Sequence, residues 1–215
     1  MIKKIKELIA PEQAESAKKD KKIVLIDPST LGAAGPPEPD MRSVGLFGDV
    51  HEEKIAEIIQ NMIYFNEINS LEQDPENKKP ITFYISTYGG NADDMFAMYD
   101  LMRQIKDTTE IYTIGLGKVM SAGVLLLASG TKGKRVIGKN CRVMIHSVMG
   151  GNHGSLHNML NEMEAIEQLQ DMYCDALIAE TKLTRTKLKN MIERKVNVYL
   201  SAEEAIEMGI ADIVI

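Results

Sequence analysis

The chain has 215 residues, of which 44% are hydrophobic and 26% charged, a size that buries roughly 70% of the unfolded surface without disulfide or metal staples. That composition excludes wholesale disorder, and 25 basic against 31 acidic side chains, net −6, argue against a general nucleic-acid or anionic-membrane binder. The longest apolar run, Ala122 to Ala128, is too short to span a bilayer, and two cysteines, Cys141 and Cys174, outside any Cys-x-x-Cys spacing suit reduced thiols in a cytoplasmic protein.

In chain order, the start MIKKIKELIAPEQAESAKKDKK is basic but has no apolar segment of the kind a secretory signal needs. A β-like run, Ile23–Ile26, and the cluster LGAAGPPEPD follow, so residues 1–41 read as an N-terminal arm with a Gly/Pro-rich linker. Regular patterning covers 42–215. A strand is expected within Val44–Val50, and a helix over 51–68, where Ile55, Ile58, Ile59, Met62 and Ile63 recur at helical spacing. After the turn SLEQDPENKKP comes a buried strand, Ile81–Ser86, ended by Tyr88-Gly-Gly-Asn91. The next helix carries Met95, Met98, Tyr99, Met102 and Ile105 on one face. Strands are expected at Ile111–Ile114, Arg135–Ile137, Arg142–Ile145 and Ile210–Ile215, and a short apolar helix at Ser121–Ala128. Helices follow over 156–180, 184–194 and 201–208, the last opened by the capping-box pattern Ser201-Ala-Glu-Glu204. Strands alternating with helices predict an α/β fold with a largely parallel sheet.

Cofactor motifs fail in specific ways. Gly115-Leu-Gly117-Lys-Val-Met120 lacks the third glycine of a dinucleotide fingerprint, and Ala128-Ser-Gly-Thr-Lys-Gly-Lys-Arg135 lacks both the first glycine and the Ser/Thr of a P-loop. His153 and His157 share helical spacing but have no suitably spaced acidic third ligand. No metal or nucleotide cofactor is therefore expected, and any use of ATP falls to a separate partner.

The sharpest chemical signal is a serine paired with a histidine. Ser121 sits where a strand and a Gly-containing turn meet an apolar helix, so its hydroxyl projects from a first helical turn whose free N–H groups favour an oxyanion. The Ala122 N–H is one donor, and the Gly89-Gly90 turn at the same sheet edge offers another. Alone, Ser121 also fits an ordinary helix N-cap, and His146, closing the strand Arg142–Ile145, also fits a satisfied polar group. Together they form a nucleophile and its general base. Val119 occupies the first glycine position of a G-x-S-x-G elbow, which separates this pattern from α/β-hydrolases.

Further blocks extend the pattern: Leu46-Phe-Gly-Asp-Val50, Tyr84-Ile-Ser-Thr-Tyr-Gly-Gly90, Thr113-Ile-Gly-Leu-Gly-Lys-Val-Met-Ser-Ala-Gly123, Gly133-Lys-Arg135, Arg142-Val-Met-Ile-His146 and Leu200-Ser-Ala-Glu-Glu-Ala-Ile-Glu-Met-Gly-Ile-Ala-Asp212. In this order the chain resembles, over 42–215, the proteolytic subunit of the Clp protease, a family of ClpP-like serine peptidases. The resemblance implies a crotonase-like, helix-wrapped sheet with a protruding handle supplied by the region after Gly151. It implies Ser121 as nucleophile, His146 as base, the N–H groups of Gly90 and Ala122 as oxyanion hole, and an extended substrate paired beside Gly150 and Gly151. It also implies self-association into seven-membered rings stacked in pairs, fed with unfolded polypeptide by an AAA+ unfoldase, with no nucleic-acid or membrane partner.

The chain departs from that pattern at the third catalytic position, where Asn197 stands in place of the family's aspartate. In a chymotrypsin-type triad this exchange costs about 10⁴ in turnover, whereas papain-like enzymes use Cys-His-Asn productively. The expectation is a working but slower Ser-His-Asn peptidase. Val196 replaces an arginine that helps couple the family's rings. Two other functions fit parts of the pattern: a catalytically weak ring subunit with a structural or regulatory role, and a crotonase-type acyl-CoA enzyme using the same paired N–H donors.

Overall fold

Buried side chains at every second position hold the central strands in one sheet, with the alternation running through the apolar Ile81, Phe83 and Ile85 and through Ile111 and the polar Thr113. The computed structural model describes residues 40–151, 153–194 and 197–215. The expected arm over 1–41 lies, apart from Asp40 and Met41, outside the described residues, as does Val196. The chain divides after Asp40, and Met41–Ile215 forms one unit.

Among the described residues seven strands form one sheet. Strands β1 (Ser43–Phe47), β2 (Ile81–Thr87) and β3 (Ile111–Met120) pair in parallel, and β4 (Arg135–Ile137) and β7 (Ile213–Val214) extend that order. A branch leaves the second half of β3, where β5 (Arg142–Ile145) pairs in parallel and β6 (Val198–Leu200) adds antiparallel to β5.

Helix α1 (Glu52–Leu71) buries Ile55, Ile58 and Met62, and α2 (Ala92–Ile105) buries the five residues of its predicted stripe, Met95 to Ile105. The Asn91 side chain caps α2 by accepting the N–H groups of Asp93 and Asp94. Helix α3 (Ala122–Ala128) is buried along its whole length, as a helix that is apolar on every side must be. Helices α4 (Leu156–Glu180), α5 (Arg185–Arg194) and α6 (Ala202–Glu207) follow, and the capping box of Ser201 and Glu204 forms as predicted. Arg135 ties the far end together. It pairs with the Asp212 carboxylate at 2.5 Å and donates to the terminal carbonyls of α3 and α4, Ala128 O (3.1 Å) and Glu180 O (2.8 Å). No described helix is long and apolar enough to cross a membrane.

Three expectations are corrected. Strand β3 does not stop at Ile114 but runs through Gly115 and Gly117 to Met120, so these glycines lie inside a strand rather than in a turn. The closing strand shrinks from Ile210–Ile215 to Ile213–Val214, and β6 was not expected at all. Strand β1 ends at Phe47 because Gly48 takes φ 113°, leaving Val50 as an isolated bridge to Gly90.

Candidate active site

A bulge in β3 builds the site. Ile85 of β2 lies opposite Gly115, yet Thr87 lies opposite Val119, so β3 spends four residues where β2 spends two. Gly117 absorbs the irregularity at φ 65°, a conformation that side chains with a Cβ resist. Before the bulge β3 pairs with β4; after it, Lys118–Met120 pair with Arg142–Met144 of β5. The change of partner brings the carboxyl ends of β3 and β5 side by side. Ser121 follows one and His146 the other.

Ser121 has φ 53° and ψ −122°, and it is the one non-glycine residue with positive φ among those described. Such a backbone costs about 1–3 kcal/mol and persists only where the surroundings impose it. Its N–H donates to Met144 O at 2.8 Å, and its carbonyl accepts from Val124 N–H at 2.9 Å and from the Tyr173 hydroxyl at 3.0 Å. Ser121 stands at the N-cap of α3 but caps nothing with its side chain. Instead its Oγ lies 2.7 Å from His146 Nε2, so the side chain is engaged by the imidazole rather than by the helix end.

His146 is 8% exposed. Burial holds its pKa below the usual 6.5, which favours the neutral ring at pH 7. The cysteines offer no competing nucleophile: burial pushes the Cys141 thiol up to about 11, and Cys174 is raised as well, chiefly by burial.

Glycine is required beside Ser121. At Gly89 (φ 106°) a Cβ would lie 2.6 Å from the Ser121 Cβ, and at Gly90 (φ 151°) 2.2 Å from Val50 O. Gly89 is pinned by its N–H to Thr87 Oγ1 (2.9 Å) and its carbonyl to Val50 N–H (2.8 Å). The Gly90 N–H has no acceptor among the described residues, and the Ala122 N–H, at the first position of α3, has none within the helix. Both residues line a cleft of about 610 Å³ together with Ser121, His146 and Asn197.

The antiparallel branch accounts for Asn197. Strands β5 and β6 pair Val143 with Leu200, Met144 with Tyr199 and Ile145 with Val198. Continuing that register by one residue sets Asn197 across from His146. Asn197 is exposed on the cleft wall, and no hydrogen bond joins it to His146 among the described residues.

A family model described as Clp protease matches residues 40–215. The chain belongs to the Clp protease family. It is therefore a ClpP-like peptidase, and its mixed α/β fold around a mostly parallel sheet is the fold expected of one. The match leaves the acyl-CoA reading without support.

In this Clp-family peptidase the handle is the first half of α4, where every residue from Leu156 to Ala165 is exposed. The cleft wall runs from His146 to Met149 and does not include Gly150 or Gly151. Gly150 packs against α4, where a Cβ would meet Ile166 at 2.4 Å, while Gly151 faces open space. Among the described residues no three His, Cys, Asp or Glu side chains gather as metal ligands, and His153 and His157 are both exposed.

No sequence pattern points to two further residues of α4 at the site. Tyr173 reaches Ser121 O across 52 residues, and Gln170 Oε1 accepts the Val148 N–H at 2.6 Å across 22 residues. Neither contact leaves a local signature, and both side chains sit at helix positions that pass for ordinary packing.

Proposed function

We propose that this Clp-family peptidase is a serine endopeptidase of unfolded polypeptides. The observation that carries the proposal is the 2.7 Å contact between Ser121 Oγ and a buried, neutral His146 at the one strained non-glycine backbone described. His146 Nε2 takes the hydroxyl proton as Oγ attacks the scissile carbonyl carbon. The resulting oxyanion is held by the N–H groups of Gly90 and Ala122, donors already fixed in place before reaction. His146 then gives its proton to the leaving amine, and an acyl ester remains on Ser121. Water, deprotonated by the same imidazole, attacks that ester. As the second tetrahedral intermediate collapses, the imidazolium returns the proton to the departing Ser121 Oγ, the acid leaves, and the free serine and neutral histidine are restored. Asn197 serves as the third residue, its amide oxygen turning to the His146 Nδ1–H when substrate closes the cleft.

Substrate lies extended beside the segment Val148–Gly151, adding as a strand. Working subunits assemble as stacked rings of seven in the cytoplasm, and an AAA+ partner supplies the ATP-driven unfolding. Support for assembly comes from Leu156, Met159, Leu160 and Met163, exposed at i, i+3, i+4 and i+7 along the handle.

The test is labelling of the purified full chain with a fluorophosphonate probe, the adduct located by peptide mass spectrometry. Adduct at Ser121, lost in His146→Ala, is the expected result. Adduct elsewhere, or labelling indifferent to His146, would sink the serine mechanism. The same experiment addresses a second reading, a catalytically weak ring subunit, which rests on the missing Asn197–His146 hydrogen bond; it predicts no labelling but normal assembly with an active subunit.

A further inference from the structure

The bonds that impose the backbone of Ser121 are not equivalent. The Met144 carbonyl and the Val124 N–H are main-chain groups that any side chains at those positions would supply. The Tyr173 hydroxyl is the single side-chain group, and it comes from a different element, α4. Tyr173 is only 4% exposed, and burial holds its phenol well above the ordinary range, so it remains a protonated donor at any working pH. The Ser121 carbonyl already accepts Val124 N–H, so the hydroxyl is not needed to satisfy it. A phenylalanine would fill the same space without burying a polar atom.

Planarity gives the bond its consequence. Ser121 C=O and Ala122 N–H belong to one peptide unit, which is trans like all those described, so they point in opposite directions. A group that fixes the carbonyl also fixes where the N–H points, and donation to the carbonyl polarises that N–H. Ala122 lines the cleft, and its N–H, at the first position of α3, has no acceptor within the helix.

We propose that Tyr173 is a positioning residue for catalysis: its hydroxyl, 3.0 Å from Ser121 O, sets the Ser121–Ala122 peptide plane and so aims the oxyanion donor beside the nucleophile. The inference rests on the serine-peptidase reading above. Its effect is confined to the transition state, because a ground-state carbonyl gains little from a donor placed for an oxyanion.

The experiment compares native full-length chain with Tyr173→Phe, which lacks only the hydroxyl, and Tyr173→Met, a smaller apolar replacement that also lacks the donor, each checked for native circular dichroism. Deleting one oxyanion donor outright costs about 10²–10³ in kcat, and mis-aiming one is expected to cost about 10- to 100-fold. KM for a short peptide stays within about twofold, and the acid limb of the pH profile does not move, because His146 is untouched. Fluorophosphonate labelling of Ser121 slows by the same factor as kcat. If native Ser121 is labelled and both variants turn over within about twofold of native, this inference fails while the serine mechanism stands. A matching rise in KM, or a displaced acid limb, would also overturn it, since either marks general disruption. If native Ser121 takes no label, the mechanism falls and the tyrosine's role falls with it.

Discussion

The strain at Ser121 and the burial of His146 act on the same proton. Ser121 has positive φ and its hydroxyl lies 2.7 Å from the imidazole, which in the proposed mechanism takes up its hydrogen. Because burial disfavours the imidazolium, the pKa of His146 falls below 6.5, and the base form persists on the acid side of neutrality. The acid limb of kcat/KM should therefore lie below pH 6.5, with the rate falling as pH drops through the depressed pKa. In the proposed mechanism the same burial leaves the imidazolium without a charged partner, because continuing the β5–β6 register sets Asn197 across from it. Replacing Asn197 by aspartate adds an anion that favours the protonated ring. Asn197→Asp is expected to raise kcat by about tenfold or more, against the ~10⁴ that the reverse exchange costs in a chymotrypsin-type triad. It should also move the acid limb to higher pH. Steady-state rates from pH 5 to 9 check both signs at once. An unchanged or lower kcat would mean that Asn197 does not limit the rate.

At the scale of elements, what could be read from the sequence was whatever a local period or a short motif carries. The stripe Met95, Met98, Tyr99, Met102 and Ile105 announces α2 because burial recurs every third or fourth residue. Strand β3 was legible only to Ile114, since glycines inside a strand look like a turn until the bulge opposite β2 is known, and that is a property of register between distant segments. Strand β6 is three residues long and shows no periodicity, so Asn197 could be singled out only through the family resemblance. Ser121 and His146 were legible as a pair, but Gln170 was not. The Gln170 side chain accepts the Val148 N–H at 2.6 Å and donates to Cys174 Sγ at 3.2 Å, which holds the cleft wall against α4 one turn before Tyr173. Gln170→Ala removes a hydrogen bond worth about 0.5–1.5 kcal/mol to the placement of that wall. The expected result is a rise of about two- to tenfold in KM with kcat within twofold, the mirror image of the Tyr173 variants. Peptide-substrate kinetics separate them, and a fall in kcat at constant KM would refute the assignment of Gln170 to substrate placement.

For the whole molecule, the question is what an exposed apolar helix is doing on a chain with 26% charged residues. From Leu156 to Ala165 no residue of α4 is buried, yet Leu156, Met159, Leu160 and Met163 form a stripe at helical spacing, each between 46% and 68% exposed. An isolated helix gains little stability from such a face, and a contiguous apolar patch in water marks a surface that is covered in the working assembly. Methionine suits this place because its flexible thioether adapts to a partner helix. The stacked-ring proposal assigns the stripe to contact between rings, with the α4 helices of one ring meeting those of the other. Leu160→Glu combined with Met163→Glu puts like charges on both sides of such a contact and leaves Ser121, His146 and Tyr173 untouched. Buried unpaired carboxylates are costly enough to separate the layers. Sedimentation of the native chain should show an assembly far above the 23.9 kDa of one subunit, and the double variant should sediment at half the native mass. If the variant keeps the native mass, the stripe lies outside the ring-to-ring contact. If it falls to a single subunit, the stripe holds neighbours within a ring, and the assignment of α4 to stacking is wrong.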